Sequence, residues 1–160
     1  MPSRGFSLLE LLVVLVLMGI LAGGAVLALR DRQAAALNAE TERLVNALTL
    51  QRDTLLISGA GPTALSLKTH SYAWLVPSLK AAEPWQLIAK VHALPSFMRL
   101  ELVLNGHART LPEQRWPAHI VLGSSGEITP ARIRLHLPER GISREIQIGF
   151  AGSIEVHDAH

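Results

Sequence analysis

The side chains of this sequence that could do chemistry are seven histidines, a late group of arginines, a Gly-Ser-Ser-Gly loop and one early glutamate. A metal site needs ligands at short fixed spacings. His70, His92, His107, His119 and His136 fall in separate segments without such spacing, and His157 with His160 is a terminal pair. Glu155 and Asp158 are too sparse for a calcium loop, which needs clustered oxygen ligands. No metal and no other cofactor is expected. Gly123-Ser124-Ser125-Gly126 lacks both the G-x-S-x-G form and a P-loop lysine, so it reads as a turn. With no cysteine there is no thiolate nucleophile, thiolate metal site or disulfide framework. No other catalytic cluster stands out, and the chain is not expected to be an enzyme.

Arg132, Arg134, Arg140 and Arg144 form the one basic concentration, and phosphates favour such groups. Glu139 and Glu145 interleave with them, and no aromatic pair accompanies them for base stacking. They read as solvated or as contacting a partner, with nucleic acid as the rival. The whole chain has 15 Lys+Arg against 13 Asp+Glu, which does not make a dense basic field.

Glu10 is the most informative of these groups because of what surrounds it. From Leu11 to Leu29 there are 19 consecutive residues without a charge or strong polar group, and Phe6 to Leu9 extends the run on the other side of Glu10. A helix of roughly 20 residues crosses a hydrocarbon core of about 30 Å. A buried core helix rarely runs so far without a polar face. A secretory signal has no use for a carboxylate inside its apolar region. An acid in an apolar helix costs about 2 to 3 kcal/mol on insertion scales, less near the interface, so it needs a partner or a reason.

The segment Arg4-Gly5-Phe6-Ser7-Leu8-Leu9-Glu10, followed by that apolar stretch, resembles the class III signal of type IV pilins and pseudopilins. The resemblance implies that a prepilin peptidase cuts between Gly5 and Phe6 and methylates the new Phe6 amine. It also implies that Glu10 faces the terminal amine of a neighbouring subunit, so that Phe6 and Glu10 act together in filament assembly. Two opposite charges buried in an apolar bundle relieve each other's desolvation only when close. Arg4 before the span and Arg30 and Arg32 after it leave the positive-inside rule ambiguous. The orientation with a cytoplasmic N-terminus and a periplasmic head in the bacterial inner membrane therefore follows from the resemblance.

The elements that must hold these groups follow from periodicity. Leu37, Leu44, Leu48 and Leu55, with Val45, make one apolar stripe among polar residues, which predicts an amphipathic helix. Ser58-Gly59-Ala60-Gly61-Pro62 ends it. A single helix through both segments is the simplest reading; a break near Gly23-Gly24 or Arg30-Asp31 is the alternative. Short strands follow: Ala64 to Lys68, Tyr72 to Val76, Trp85 to Val91, and the alternating Met98 to Leu104, with Asn105-Gly106 as a tight hairpin turn. Ile133, Leu135 and Leu137 alternate with polar residues, as do Ile146, Ile148 and Phe150, and Pro138 to Gly141 between them predicts a second hairpin.

The stretch Ile120-Val121-Leu122-Gly123-Ser124-Ser125-Gly126-Glu127-Ile128-Thr129-Pro130 and the strand after it resemble the H-type minor pseudopilins of type II secretion. The expected fold is α+β and pilin-like, a long helix packed on a head of antiparallel sheets. Its expected segments are 1–5 as leader, 6–29 as transmembrane helix, 30–58 as the amphipathic continuation and 62–160 as periplasmic head. The family implies assembly near the tip of a periplasmic pseudopilus, with I-, J- and K-type minor subunits and the major pseudopilin as partners, in support of protein export. The alternative is a minor type IV pilin for pilus initiation or DNA uptake. The cysteine pair of several minor pilins is missing here, which tilts the reading toward secretion.

Overall fold

The computed structural model describes residues 8–79, 83–88 and 90–159, with the backbone alone for 22–30 and 159. Helix α1 runs over Leu8–Ser58. The chain divides into two compact units, Met1–Ala36 and Leu37–His160. In the first, every described side chain from Leu8 to Leu21 is exposed, including Leu8 at 85% and Leu21 at 72%.

In the second unit the predicted stripe is the core face of the helix: Leu37, Leu44, Leu48 and Leu55 are all buried. Full burial of a leucine contributes about 1.5 to 3 kcal/mol, so this stripe is a main anchor of the head. The helix stops where the glycines predict. Gly59 takes φ +60°, and its N–H donates to the Leu55 carbonyl at 3.0 Å, which closes a left-handed cap.

Among the described residues ten strands follow: β1 Thr63–Lys68, β2 Ser71–Pro77, β3 Trp85–Leu87, β4 His92–Ala93, β5 Arg99–Leu104, β6 His107–Arg109, β7 Ile120–Leu122, β8 Ala131–Leu137, β9 Ile142–Ile148 and β10 Ile154–Ala159. They make two five-stranded sheets with antiparallel pairing. One has the order β3-β2-β1-β7, with β4 also on β2; the other has β10-β9-β8-β5-β6. The inward residues of both sheets, among them Leu65, Leu67, Leu102, Ile120, Ile133, Leu135 and Ile146, share one cluster with the helix leucines and with Met98 just before β5.

Both predicted hairpins form. Asn105 at φ +52° and Gly106 at φ +79° carry the β5–β6 turn, whose conformation these two residue types tolerate best. β8 and β9 pair from Ala131↔Ile148 to Leu137↔Ile142. Three expectations need correction. The third strand stops at Leu87 instead of Val91, because the edge of β2 is shared: Leu75–Pro77 take β3, while Ser71 and Tyr72 take β4. Phe150 does not continue the inward alternation of Ile146 and Ile148. The chain turns after Ile148, with the Gly149 N–H on the Ser153 carbonyl at 2.9 Å and Gly152 at φ +79°, and this leaves Phe150 82% exposed. That turn starts β10, a strand the sequence reading did not contain.

Candidate assembly surface

Gly5 and Phe6 lie outside the described residues. Glu10 sits in the first turn of α1, exposed among exposed leucines and valines. A carboxylate near a helix N-terminus is favoured by the helix dipole. Among the described residues no helix is long and apolar enough to cross a membrane. The fully described part of the apolar run ends at Leu21, short of the Leu29 that closes it in the sequence.

The motif Gly123 to Thr129 is a tight structural turn. The Gly123 N–H donates to the Glu127 carbonyl at 2.8 Å, and the Gly126 N–H to the Gly123 carbonyl at 3.1 Å, with Gly126 at φ +87°. The Ser125 hydroxyl donates to the Glu127 carboxylate. That bond first, helped by the backbone N–H groups of Glu127 and Ser125, holds the Glu127 carboxyl below its usual range. A Cβ on Gly123 would collide with the same carboxylate. After the turn, Thr129 takes both backbone groups of Val121: its N–H donates to the Val121 carbonyl at 2.9 Å, and its hydroxyl accepts the Val121 N–H at 3.0 Å. The motif also explains its second glycine. A Cβ on Gly126 would stand 2.8 Å from Leu56 of the helix, so the turn packs against the last helical turn of the head.

Polar ties fasten the helix elsewhere, and the sequence reading missed them. Arg52 donates to the Gly152 carbonyl at 2.6 Å and pairs with Asp53 at 3.0 Å. Arg144 donates to the Asn38 side chain at 3.0 Å. Glu40 accepts from Arg43 at 2.6 Å and meets His92 of β4 at 2.8 Å, with its side chain only 12% exposed. His92 in turn stacks near Tyr72, ring centres 4.8 Å apart. Burial, then the Glu40 charge, push the Tyr72 phenol up to about 12, while Arg43 acts the other way. The available signal was Glu40 standing beside the Leu37–Leu44 stripe, a polar residue at the margin of an apolar face.

The four arginines do not gather into one open basic patch. Arg134 sits between Glu145 at 3.3 Å and Glu101 at 3.8 Å, and Arg132 also reaches Glu145 at 3.8 Å. Arg144 pairs with Asp158, and Arg140 lies in the β8–β9 turn. Cross-strand register does this: Arg134 stands opposite Glu145 on one side and Glu101 on the other. The described histidines have separate partners, His70 on the Met98 carbonyl at 2.8 Å and His136 near Glu101 at 3.3 Å. His119 accepts the Leu67 N–H at 3.0 Å through Nδ1, and burial lowers its pKa. Among the described residues no three ligating side chains converge.

Residues 1–26 match the prokaryotic N-terminal methylation motif. The chain is 34% identical over 154 residues to the type II secretion system protein H of Pseudomonas aeruginosa, covering 87% of this chain and 85% of that one. This chain belongs to the H-type minor pseudopilins of type II secretion. The pseudopilin's fold agrees. It aligns with the minor pseudopilin EpsH of the Vibrio cholerae type 2 secretion system at TM-score 0.61 and 15% identity, over 76% of this chain and 96% of that one. With E. coli GspH the TM-score is 0.59 at 17% identity, over 78% and 91%. The pseudopilin is thus a component of protein secretion with a pilin-like α+β fold, and its Ser-Gly-Glu turn lies against Leu56 of the helix.

Proposed function

We propose that this pseudopilin is processed between Gly5 and Phe6 by a prepilin peptidase, methylated at Phe6, and held in the inner membrane by residues 6–29. The N-terminus is then cytoplasmic, residues 30–58 continue the helix, and the head over 62–160 is periplasmic. It assembles near the pseudopilus tip with I-, J- and K-type minor subunits and the major pseudopilin, and its role is mechanical support of export. One observation carries the reading: Leu8 to Leu21 are exposed in the single chain, while Leu37, Leu44, Leu48 and Leu55 of the same helix are buried by its own head. The exposed half is apolar surface suited to cover by lipid or neighbouring helices, and in this reading the Glu10 carboxylate pairs with a partner's terminal amine. The carboxylates around Arg132, Arg134 and Arg144 weaken the field that nucleic acid would need, which disfavours DNA uptake.

A clean deletion in the source bacterium tests this, with exoprotein export, piliation and DNA uptake assayed together. Exoprotein retained in the periplasm with normal pili and uptake is the expected result; normal export overturns it. Replacing Gly5 with a bulky residue blocks processing, read as retained leader by mass spectrometry. Glu10→Ala leaves processing intact and impairs filament entry.

A further inference from the structure

Open sheet edges invite another strand, and folds commonly guard them with charges or cover. Two edges here are charged: β10 carries Glu155, His157 and Asp158, and β6 carries His107 and Arg109. The edge at β7 is covered, since Thr129 takes both backbone groups of Val121. β3, Trp85-Gln86-Leu87, has neither protection. The Ile88 N–H donates to the Trp74 carbonyl at 3.1 Å, and the Ser78 N–H to the Pro84 carbonyl at 2.9 Å. Even-numbered residues of β3 therefore face β2, and antiparallel alternation turns the backbone groups of Trp85 and Leu87 outward. Among the described residues nothing bonds them.

Beside this edge is a cleft of 610 Å³ lined by Trp85, Leu87, Arg115, Trp116 and Pro117 among others. Trp116 is held in place: Lys68 Nζ sits 4.1 Å from its ring centre while donating to the Glu113 carbonyl at 2.6 Å. Leu87 and Ile88 are nearly half exposed, and Leu79 fully so. Two outward N–H and C=O pairs, two residues apart, match the repeat of an extended backbone, and the indole-lined cleft matches an apolar side chain on it.

We propose that β3 is a docking strand, which receives an extended, apolar segment of a neighbouring pseudopilin as an added strand, one side chain entering the Trp85–Trp116 cleft. Three residues of edge bury far less than the roughly 1,000 Å² that stable pairing in solution needs, which excludes a free homodimer here. The contact works between chains already held side by side, where effective concentration is high. In that respect it rests on the filament reading above.

The test uses the full chain in a deletion strain, with a photoreactive benzophenone amino acid at Leu87 or Trp116 and, as controls, at Arg109 of β6 or His157 of β10. Irradiation is expected to give an adduct with another pseudopilin, identified by peptide mass spectrometry, at least tenfold stronger at the β3 positions. Leu87→Pro removes the outward N–H without touching a bond to β2, and Leu87→Lys charges the edge. Each lowers the Trp116 adduct at least tenfold and reduces export at unchanged chain level. Adducts equal at all edges, or only with a second copy or an exported protein, overturn the proposal. If wild type restores export and both Leu87 variants restore it equally without an adduct, the docking strand fails alone; if the deletion strain exports normally, the filament reading itself fails.

Discussion

The two halves of α1 use leucine for opposite purposes. Between Leu8 and Leu21 the apolar side chains cover every face of the helix and all are exposed, whereas Leu37, Leu44, Leu48 and Leu55 lie on one face and are all buried. Periodicity separates the cases: an apolar stripe is satisfied by one packed layer, and an apolar cylinder needs surroundings on all sides. The first half therefore depends on other molecules for its burial and the second depends on its own chain.

Paired substitutions break or sharpen this contrast. Leu48→Ala should destabilise the head by about 2 to 5 kcal/mol through a buried cavity, read as a lower urea midpoint of the detergent-solubilised full chain. Leu15→Ala in the same assay should leave the midpoint within about 0.5 kcal/mol of wild type, as for surface changes generally. A similar loss from both would erase the distinction. Gly126→Ala should cost about 1 to 3 kcal/mol, because it forces a side chain into φ +87° and against Leu56, and thermal unfolding measures it.

His119 gives a smaller effect that depends on pH. Burial lowers its folded pKa, so the unfolded chain binds the proton more readily. Its contribution is complete above about pH 6.5, the unfolded value, and is lost as pH falls from there toward the lowered folded value. His119→Asn, which keeps an acceptor and does not titrate, should flatten that slope in urea midpoints between about pH 5 and 8. Arg134→Gln should change the midpoint least, by less than about 1 kcal/mol, because the arginine is 44% exposed and its ion pairs are screened by water.

Much of this fold was legible in the residues. The helix stripe and its glycine stop, the Asn105-Gly106 turn and the β8–β9 hairpin all rest on local period and backbone preference, which act within a few residues. The motif Gly123 to Thr129 was legible as a turn, but its seat against Leu56 was not, since that contact joins distant segments. Sheet order, β4 on β2 and the ties of Glu40 to His92 and Arg52 to Gly152 are likewise long-range. β10 was hidden because Ile154-Glu155-Val156-His157-Asp158-Ala159 is an edge with only two apolar residues besides alanine, so it shows little of the apolar alternation of a core strand.

Arg52 reaches its carbonyl partner 100 residues later in the chain, and Asn38 meets Arg144 106 residues later. Synthesis runs from the N-terminus at about 5 to 20 residues per second, so the leucine face of the helix waits roughly 5 to 20 s for its last fastenings. Ile148 is the last described residue of the buried core, so the turn at Gly152 acts as a late latch, which fastens the helix to a core whose buried side chains have already been made.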